Sequence, residues 1–444
     1  MKIKIYKILG MLLVFSMFTL SCEEWIDPEL NEDPNSLTDV TISSLLPNSQ
    51  LALFFVMGDA DMKGYTGAWS QHLEGSDRQF QAVQNYNITP TDLDNLWSNM
   101  YENNLEGLQL IKEKAEENSS PHYAGVAKVL EAVSLEMLTN YFGALAYSDA
   151  FKGEEGNFQP EYDSQEEIYS TIQTLLNEAI SDLESANEVP LEGDMVYENN
   201  IDQWIKVAHS LRARVHMHFT IRGGVDFDNV IADINSGVSS NADDFQLPFQ
   251  DDLARANPMV QFLDEREGYI TDNNFFQNFI EGDPRSEELY YVPDEGEEPG
   301  FWYKEDSPVA LLEYAEMLYL KAEAHYRNDE PTEAQGTLKD AIDASLTKLG
   351  VEDQTWQDSV ETAIDGYTGE ALLKEIMEQK YIHMFSNPPV AYCDFRRTEY
   401  PEALTPVEGS EFPERFPYPQ DEINYNKNTP DHGSIFNTLW IFEE

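Results

Sequence analysis

The chain has 444 residues, long enough for one large or two ordinary domains, and its 41% apolar and 12% aromatic content is ample for a packed core, which excludes a disordered protein. Its 83 acidic residues against 27 basic give a formal net charge of −56, a surface that repels phosphate backbones and anionic headgroups, so nucleic-acid binding and docking on acidic membranes are disfavoured. Two readings of the acid excess stand beside each other: a strongly solvated surface suited to a salty medium, and calcium binding, for which no segment matches an EF-hand loop.

In chain order, residues 1–21 read as a secretory signal. Lys2, Lys4 and Lys7 precede the apolar run Ile8 to Leu20, and the small Ser21 precedes Cys22. That run is too short and wrongly flanked for a membrane span, and no later run is apolar enough to be one. Residues 22–40, acidic and turn-rich from Pro28 to Asn35, read as a tether.

From residue 41 onward the chain reads as one mainly α-helical domain. Leu45 to Met57 is the first apolar helix, and Gly58 to Asn87 is polar, aromatic and partly loop. Thr91 to Glu117 returns to helical period with Leu93, Trp97, Met100, Leu108 and Ile111 on one face, and Tyr123 to Tyr141 does the same. Ser164 with Glu167 forms a capping-box start for a helix lined by Ile168, Ile172, Leu175 and Ala179. Trp204, Ala208, Leu211, Val215 and Phe219 repeat the pattern as far as Gly223.

Between residues 226 and 307 the period fades and turn residues dominate, which predicts a loop-rich insertion. Val309 to Gly350 then predicts two helices broken at Asn328 to Pro331. Glu313, Glu316, Glu323 and Arg327 fall on one polar stripe of the first, so that helix must be packed on several sides. The spacing of Leu318, Ala322, Ala334 and Ala341 is that of a tetratricopeptide helix pair. Leu373, Ile376, Met377 and Met384 mark another helix, and recurrent proline from residue 387 to 444 predicts an irregular C-terminal wrap. Period-2 alternation is confined to short runs such as Phe245 to Phe249, so strands are few and short.

These segments in this order resemble the SusD/RagB family of nutrient-binding outer-membrane lipoproteins, in its SusD-like 2 branch. The resemblance is carried by Asp33-Pro-Asn35, Tyr65 to Arg78, Asn140-Tyr-Phe-Gly143 with Tyr147-Ser148, Trp204 to Arg214, Asn257-Pro258, Ser307 to Glu323, Glu375 to Phe385, Cys393 to Arg397 and Arg415 to Tyr418. His209 stands where relatives often have asparagine. Cys22 directly after the cleavage point is similar to a bacterial lipobox, with Thr19 in place of the usual leucine, and Cys22 to Asp27 resembles the acidic signal that sends Bacteroidetes lipoproteins to the cell surface.

The resemblance implies a right-handed superhelix of about four tetratricopeptide-like helix pairs with irregular loops. It implies a protein lipidated at Cys22 and anchored to the outer membrane by lipid alone. It further implies capture of oligosaccharides or peptides, delivery to a SusC-like TonB-dependent transporter barrel, and no enzymatic activity. A tetratricopeptide-like adaptor that binds only protein is the remaining alternative. With Cys22 lipidated, Cys393 has no partner for a disulfide and reads as a buried small apolar side chain.

The sequence contains no competing catalytic pattern: HExxH, GxSxG, GxGxxG and the P-loop are missing. His216 and His218 are two apart and face different sides of a helix, so they cannot jointly hold a metal. No cofactor is called for. What remains is aromatic surface, since Trp and Tyr stack on the C–H face of a sugar while polar groups bond its rim. The first expectation is Tyr290, Tyr291, Phe301, Trp302 and Tyr303, several large rings in a segment rich in Pro, Gly and acid. Trp69 with His72 is the second, weighed against a scaffold role. Trp97, Trp204 and Trp356 read as core, and Trp440 as docked on the body.

Overall fold

The computed structural model describes residues 40–290, 299–431 and 433–443. The signal-like residues 1–21, Cys22, the tether to residue 39, and Tyr291 therefore lie outside the described residues. The chain from Ile42 onward forms the main compact unit.

Eleven helices of ten residues or more build its frame: α1 Ile42–Gly58, α2 Glu106–Glu117, α3 Pro121–Phe142, α4 Gln165–Glu184, α5 Ile201–Met217, α6 Phe227–Ser236, α7 Tyr314–Arg327, α8 Pro331–Leu349, α9 Gln354–Ile364, α10 Glu370–His383 and α11 Pro388–Thr398. From α2 to α8 each helix packs on the next, and α10 closes on α7. The boundaries follow local chemistry. Ser164 and Glu167 cap α4 reciprocally, Pro331 occupies the first turn of α8, and Gly350 ends it in the left-handed region at φ 70°. The central helix α3 is apolar nearly all round and is buried from Val126 through Phe142 except at Lys128.

Three segments depart from the sequence reading. Val309–Leu312 is a strand, antiparallel to Phe245–Leu247, and α7 begins only at Tyr314. All four strand residues are buried, and a short apolar run of that kind carries no period that separates strand from helix. Residues 226–307 hold α6, two shorter helices at Pro258–Glu265 and Asn274–Phe279, and the strand Ile270–Asp272 paired with Leu73–Gly75. Pro388 and Pro389 start α11 instead of opening an irregular tail, because the first helical turn needs no N–H donor.

The polar stripe of α7 points inward. Glu316 and Glu323 are wholly buried, and Glu313, just ahead of the first helical residue, is 1% exposed. Arg397 of α11 meets Glu323 through two bonds of 2.6 Å, and Arg214 of α5 binds Glu136 of α3 at 2.9 and 2.7 Å and the Leu311 carbonyl at 2.8 Å. Buried charges persist only when paired in this way, so the stripe ties α3, α5, α7 and α11 into one body.

Candidate functional site

Most of the aromatic side chains singled out in the sequence lie in this body. Trp302 and Tyr303 are 1% and 4% exposed. Phe301 abuts Trp302 edge-on at 5.0 Å, the Lys348 ammonium sits 5.5 Å over the indole, and Tyr303 packs edge-on against Phe385. A sugar could reach neither ring without displacing these neighbours, so the expected stacking role of Trp302 and Tyr303 is corrected to packing of the segment onto the helices. Phe301 and Tyr290 stay half-buried.

Trp69 and His72 are fully buried as well. The Trp69 indole N–H donates to the Val83 carbonyl at 3.2 Å, and its ring packs against Phe416 and Tyr392. His72 stacks on Tyr381 at 4.1 Å, and its two nitrogens meet Ser70 Oγ and the Tyr381 carbonyl, each at 2.9 Å. Burial drives its pKa down to about 3, so it is a neutral scaffold residue. Trp204 is core, Trp440 packs on Phe219 with Arg222 over its ring, and Trp356 is only half-buried. Burial pushes the Cys393 thiol up to about 12, which leaves it inert.

A second group of rings, half-buried or buried, lies elsewhere. Helical backbone runs from Pro90 into α2, and between Asn99 and Leu105 it loosens into a π-helix, a feature that often marks functional sites because it re-aims side chains. There Trp97 and Tyr101 stack with centroids 4.6 Å apart and planes 22° from parallel. Phe151 extends the stack, 6.1 Å from Tyr101 at 27°. Its backbone is held at φ 59°, a strained conformation for a bulky residue that places its ring on this floor.

The loop after α3 supplies that ring and is firmly pinned. Leu145 and Asp163 form an isolated antiparallel bridge, and Asp163 accepts from the Ser148 N–H at 2.7 Å and its hydroxyl at 2.6 Å. Asp149 accepts from Asn157 Nδ2 at 2.8 Å. The opposite wall is the short helix Gln420–Tyr425. It is stitched to the loop by Tyr162 donating to Glu422 at 2.6 Å, Asn426 to the Pro160 carbonyl at 3.0 Å, and Gln159 to the Tyr425 carbonyl at 3.1 Å.

Between these walls lies a cleft of about 310 Å³, with Trp97, Tyr101 and Phe151 as its floor and Asp94, Glu102, Glu106, Asp421 and Glu422 in its lining. The two segments that wall it also carry Phe158 and Tyr425, 77% and 72% exposed, and Ile423 at 43%, none of which lines the cleft itself. Large apolar side chains exposed singly need no explanation, but three of them on the two segments that wall one aromatic cleft make it the candidate site. Three roomier clefts, about 670 Å³ beside Gly223 and Gly224, about 540 Å³ beside His209 and His216 and about 460 Å³ beside Ser119, hold no stacked aromatic pair among the described residues. No group of three or more His, Cys, Asp or Glu among the described residues is arranged to hold a metal.

The sequence reading placed Trp97 in the core, and it is 5% exposed; it did not single out Tyr101, Phe151, Phe158 or Tyr425. The available signal was the aromatic pair four residues apart, followed by a Gly- and acid-rich stretch holding Phe151, Phe158 and Tyr162.

The helical frame carries a surface cleft that sets half-buried rings beside hydrogen-bonding carboxylates, the candidate ligand site. The chain belongs to the SusD/RagB family, in the SusD-like 2 branch: residues 34–302 and 297–419 match that family model, described as starch-binding and associating with the outer membrane. Among curated proteins no match is found. Among solved structures, a SusD/RagB family protein from Bacteroides thetaiotaomicron is 21% identical with a TM-score of 0.75, over 91% of this chain and 99% of its own. A chitin-binding protein is 23% identical with a TM-score of 0.77, over 91% of this chain and 100% of its own. A chitin-binding SusD homolog from Flavobacterium johnsoniae is 19% identical with a TM-score of 0.75, over 90% of this chain and 98% of its own. Likeness at these identities establishes the fold. No helix among the described residues is long and apolar enough to cross a membrane.

Proposed function

We propose that the protein is a cell-surface nutrient-binding lipoprotein, anchored through lipid on Cys22, that captures oligosaccharides in the Trp97–Tyr101–Phe151 cleft and delivers them to a SusC-like TonB-dependent transporter barrel. The observation that carries this reading is the aromatic stack at the floor of an open, carboxylate-lined cleft. The half-buried Tyr101 and Phe151 supply the apolar contact with a pyranose while the buried Trp97 backs them, and carboxylates accept from its rim of hydroxyls. The family's description as starch-binding and the two chitin-binding structural neighbours support a glycan as the ligand class. The protein acts by binding and release, without chemistry of its own.

The test is calorimetric titration of the purified chain with starch-, chitin- and cellulose-derived oligosaccharides, alongside neutral oligopeptides of matched length. Micromolar binding of at least one saccharide is expected. Binding of peptides but of no saccharide would reassign the cleft to peptide capture. Co-purification with a barrel encoded beside its gene tests delivery.

A further inference from the structure

The cleft beside Gly223 and Gly224, at about 670 Å³ against about 310 Å³ for the Trp97 cleft, shares no lining residue with it. Its size falls within the range of about 300–1,000 Å³ usual for small-ligand sites. The stretch after α5, the first residue of α6, the α7–α8 turn and Gly369 just ahead of α10 meet around it. Gly223, Gly224 and Gly369 leave its rim bare, and a Cβ added at any of them would meet nothing within 4 Å. A ligand can therefore approach the backbone there.

Two rings line this cleft, Phe227 at the start of α6 and Tyr326 in the last turn of α7. Both are half-buried, and among the described residues neither is covered by another ring. The Tyr326 hydroxyl makes no hydrogen bond among those residues either. Beside them stands Arg327, 24% exposed, whose Nε donates to Glu323 at 2.7 Å. Glu323 is itself clamped by Arg397, so the guanidinium is held from behind. Its two Nη groups make no hydrogen bond or ion pair among the described residues, which leaves up to four N–H donors for a ligand. Asp329, exposed in the α7–α8 turn, has no side-chain hydrogen bond or ion pair among them. The lining holds no other charged group, so it presents one fixed donor fork, one free carboxylate and two open rings.

Resting on the glycan reading above for its ligand class, but not on the Trp97 cleft, we propose that this cleft is a second saccharide site on the same chain, one for neutral pyranosides with adjacent free hydroxyls. A pair of vicinal hydroxyls satisfies both charged groups at once. The Arg327 Nη groups donate to the hydroxyl oxygens, the Asp329 carboxylate accepts from a hydroxyl, and the Phe227 and Tyr326 rings take the C–H face. A sugar carboxylate would be drawn to Arg327 and repelled by Asp329, and a sugar ammonium the reverse, so the neutral ring is the one that both accept. The fork needs no reorganisation to bind, since Glu323 already fixes its orientation.

The experiment is calorimetric titration of the whole chain with maltohexaose, N-acetylglucosamine hexamers and cellohexaose, with triglycine as a zwitterionic probe. Two binding events per chain are expected for at least one saccharide. Arg327→Lys/Asp329→Asn keeps a cation beside Glu323 and a residue that tolerates the φ of 58° at position 329, so the fold should be retained. In that variant one event should weaken about tenfold while the other stays within about twofold. Phe158→Ala/Tyr425→Ala should affect the other event instead. If the first variant melts early, Asp329→Asn alone carries the test, with a loss of about threefold expected. A single event, lost in Phe158→Ala/Tyr425→Ala and unchanged in Arg327→Lys/Asp329→Asn, would overturn the second site and leave the first standing. A single event with the opposite pattern would uphold this site and remove the Trp97 cleft. Absence of binding by every saccharide would overturn both. Tighter binding of triglycine than of any saccharide, lost in Arg327→Lys/Asp329→Asn, would make this a site for peptide termini and overturn the saccharide assignment.

Discussion

Tyr101 lies one helical turn beyond Trp97, and the two rings stack 4.6 Å apart at 22°, with Phe151 from the following loop continuing the row. Two residues four apart on a helix share a face, and the π-helical turn at Asn99–Leu105 sets the second of them at the cleft floor. The site thus joins a local helical relationship to a loop from elsewhere in the chain.

Phe158 and Tyr425, on the two segments that wall the cleft, have little packing to lose. Phe158→Ala and Tyr425→Ala are each expected to weaken oligosaccharide binding about 3- to 10-fold, the worth of one aromatic contact. Melting temperatures should stay within a degree or two of the parent, since surface truncations change stability little. Calorimetry and a thermal melt on the same samples check both halves.

Trp302 and Trp69 should behave in the opposite way. Each is essentially fully buried, so Trp302→Ala and Trp69→Ala should each cost about 3–5 kcal/mol of stability. Saccharide affinity of whatever fraction remains folded should be unchanged. Denaturant unfolding followed by titration well below the midpoint separates the two effects.

The Arg397–Glu323 pair is buried on both sides and doubly bonded at 2.6 Å. Glu323→Gln leaves a buried guanidinium short of charge and is expected to destabilise by about 3–5 kcal/mol. The same pair gives an acid sensitivity. Burial alone would raise the Glu323 carboxyl, but the Arg397 and Arg327 guanidiniums outweigh it and hold the pKa at about 2, against 4.5 for the free group. A depressed carboxylate stabilises above its unfolded value and loses that contribution as pH falls towards about 2. Between pH 4.5 and 2 the chain should therefore lose about 3 kcal/mol from this group, and that slope should be missing in Glu323→Gln.

Asp61 has the reverse sign. Burial, then the charges of Asp59 and Asp92, raise its carboxyl from 3.8 to about 6. Its ionisation is penalised in the fold, so stability is complete below pH 3.8 and falls as pH rises through about 6. Asp61→Asn should melt higher than the parent at neutral pH and match it below pH 3.8; thermal melts across that window decide it.

The frame was legible wherever periodicity and caps agreed. The Ser164–Glu167 capping box, the Pro331 start and the Gly350 stop of α8 each follow from local chemistry and appear in the structure. Val309–Leu312 was not legible, because its partner strand Phe245–Leu247 is distant in sequence and a buried apolar run of four has no telling period. The site was read least well. Aromatic rings among turn residues mark a loop, yet composition does not say which way the loop faces. Trp302 is folded inward under Lys348, whereas Phe158 in a similar stretch faces solvent. The wall formed by Gln420–Tyr425 meets the Phe158 loop through contacts more than 250 residues apart, such as Tyr162 with Glu422, which no local pattern encodes.

The most direct test of the central claim is one calorimetric comparison of the parent chain with the double variant Phe158→Ala/Tyr425→Ala, against the oligosaccharide that the parent binds best. At least a tenfold loss of affinity with the melting temperature retained is expected. Equal affinity in the two proteins would contradict it and move the ligand site away from the Trp97–Tyr101–Phe151 cleft.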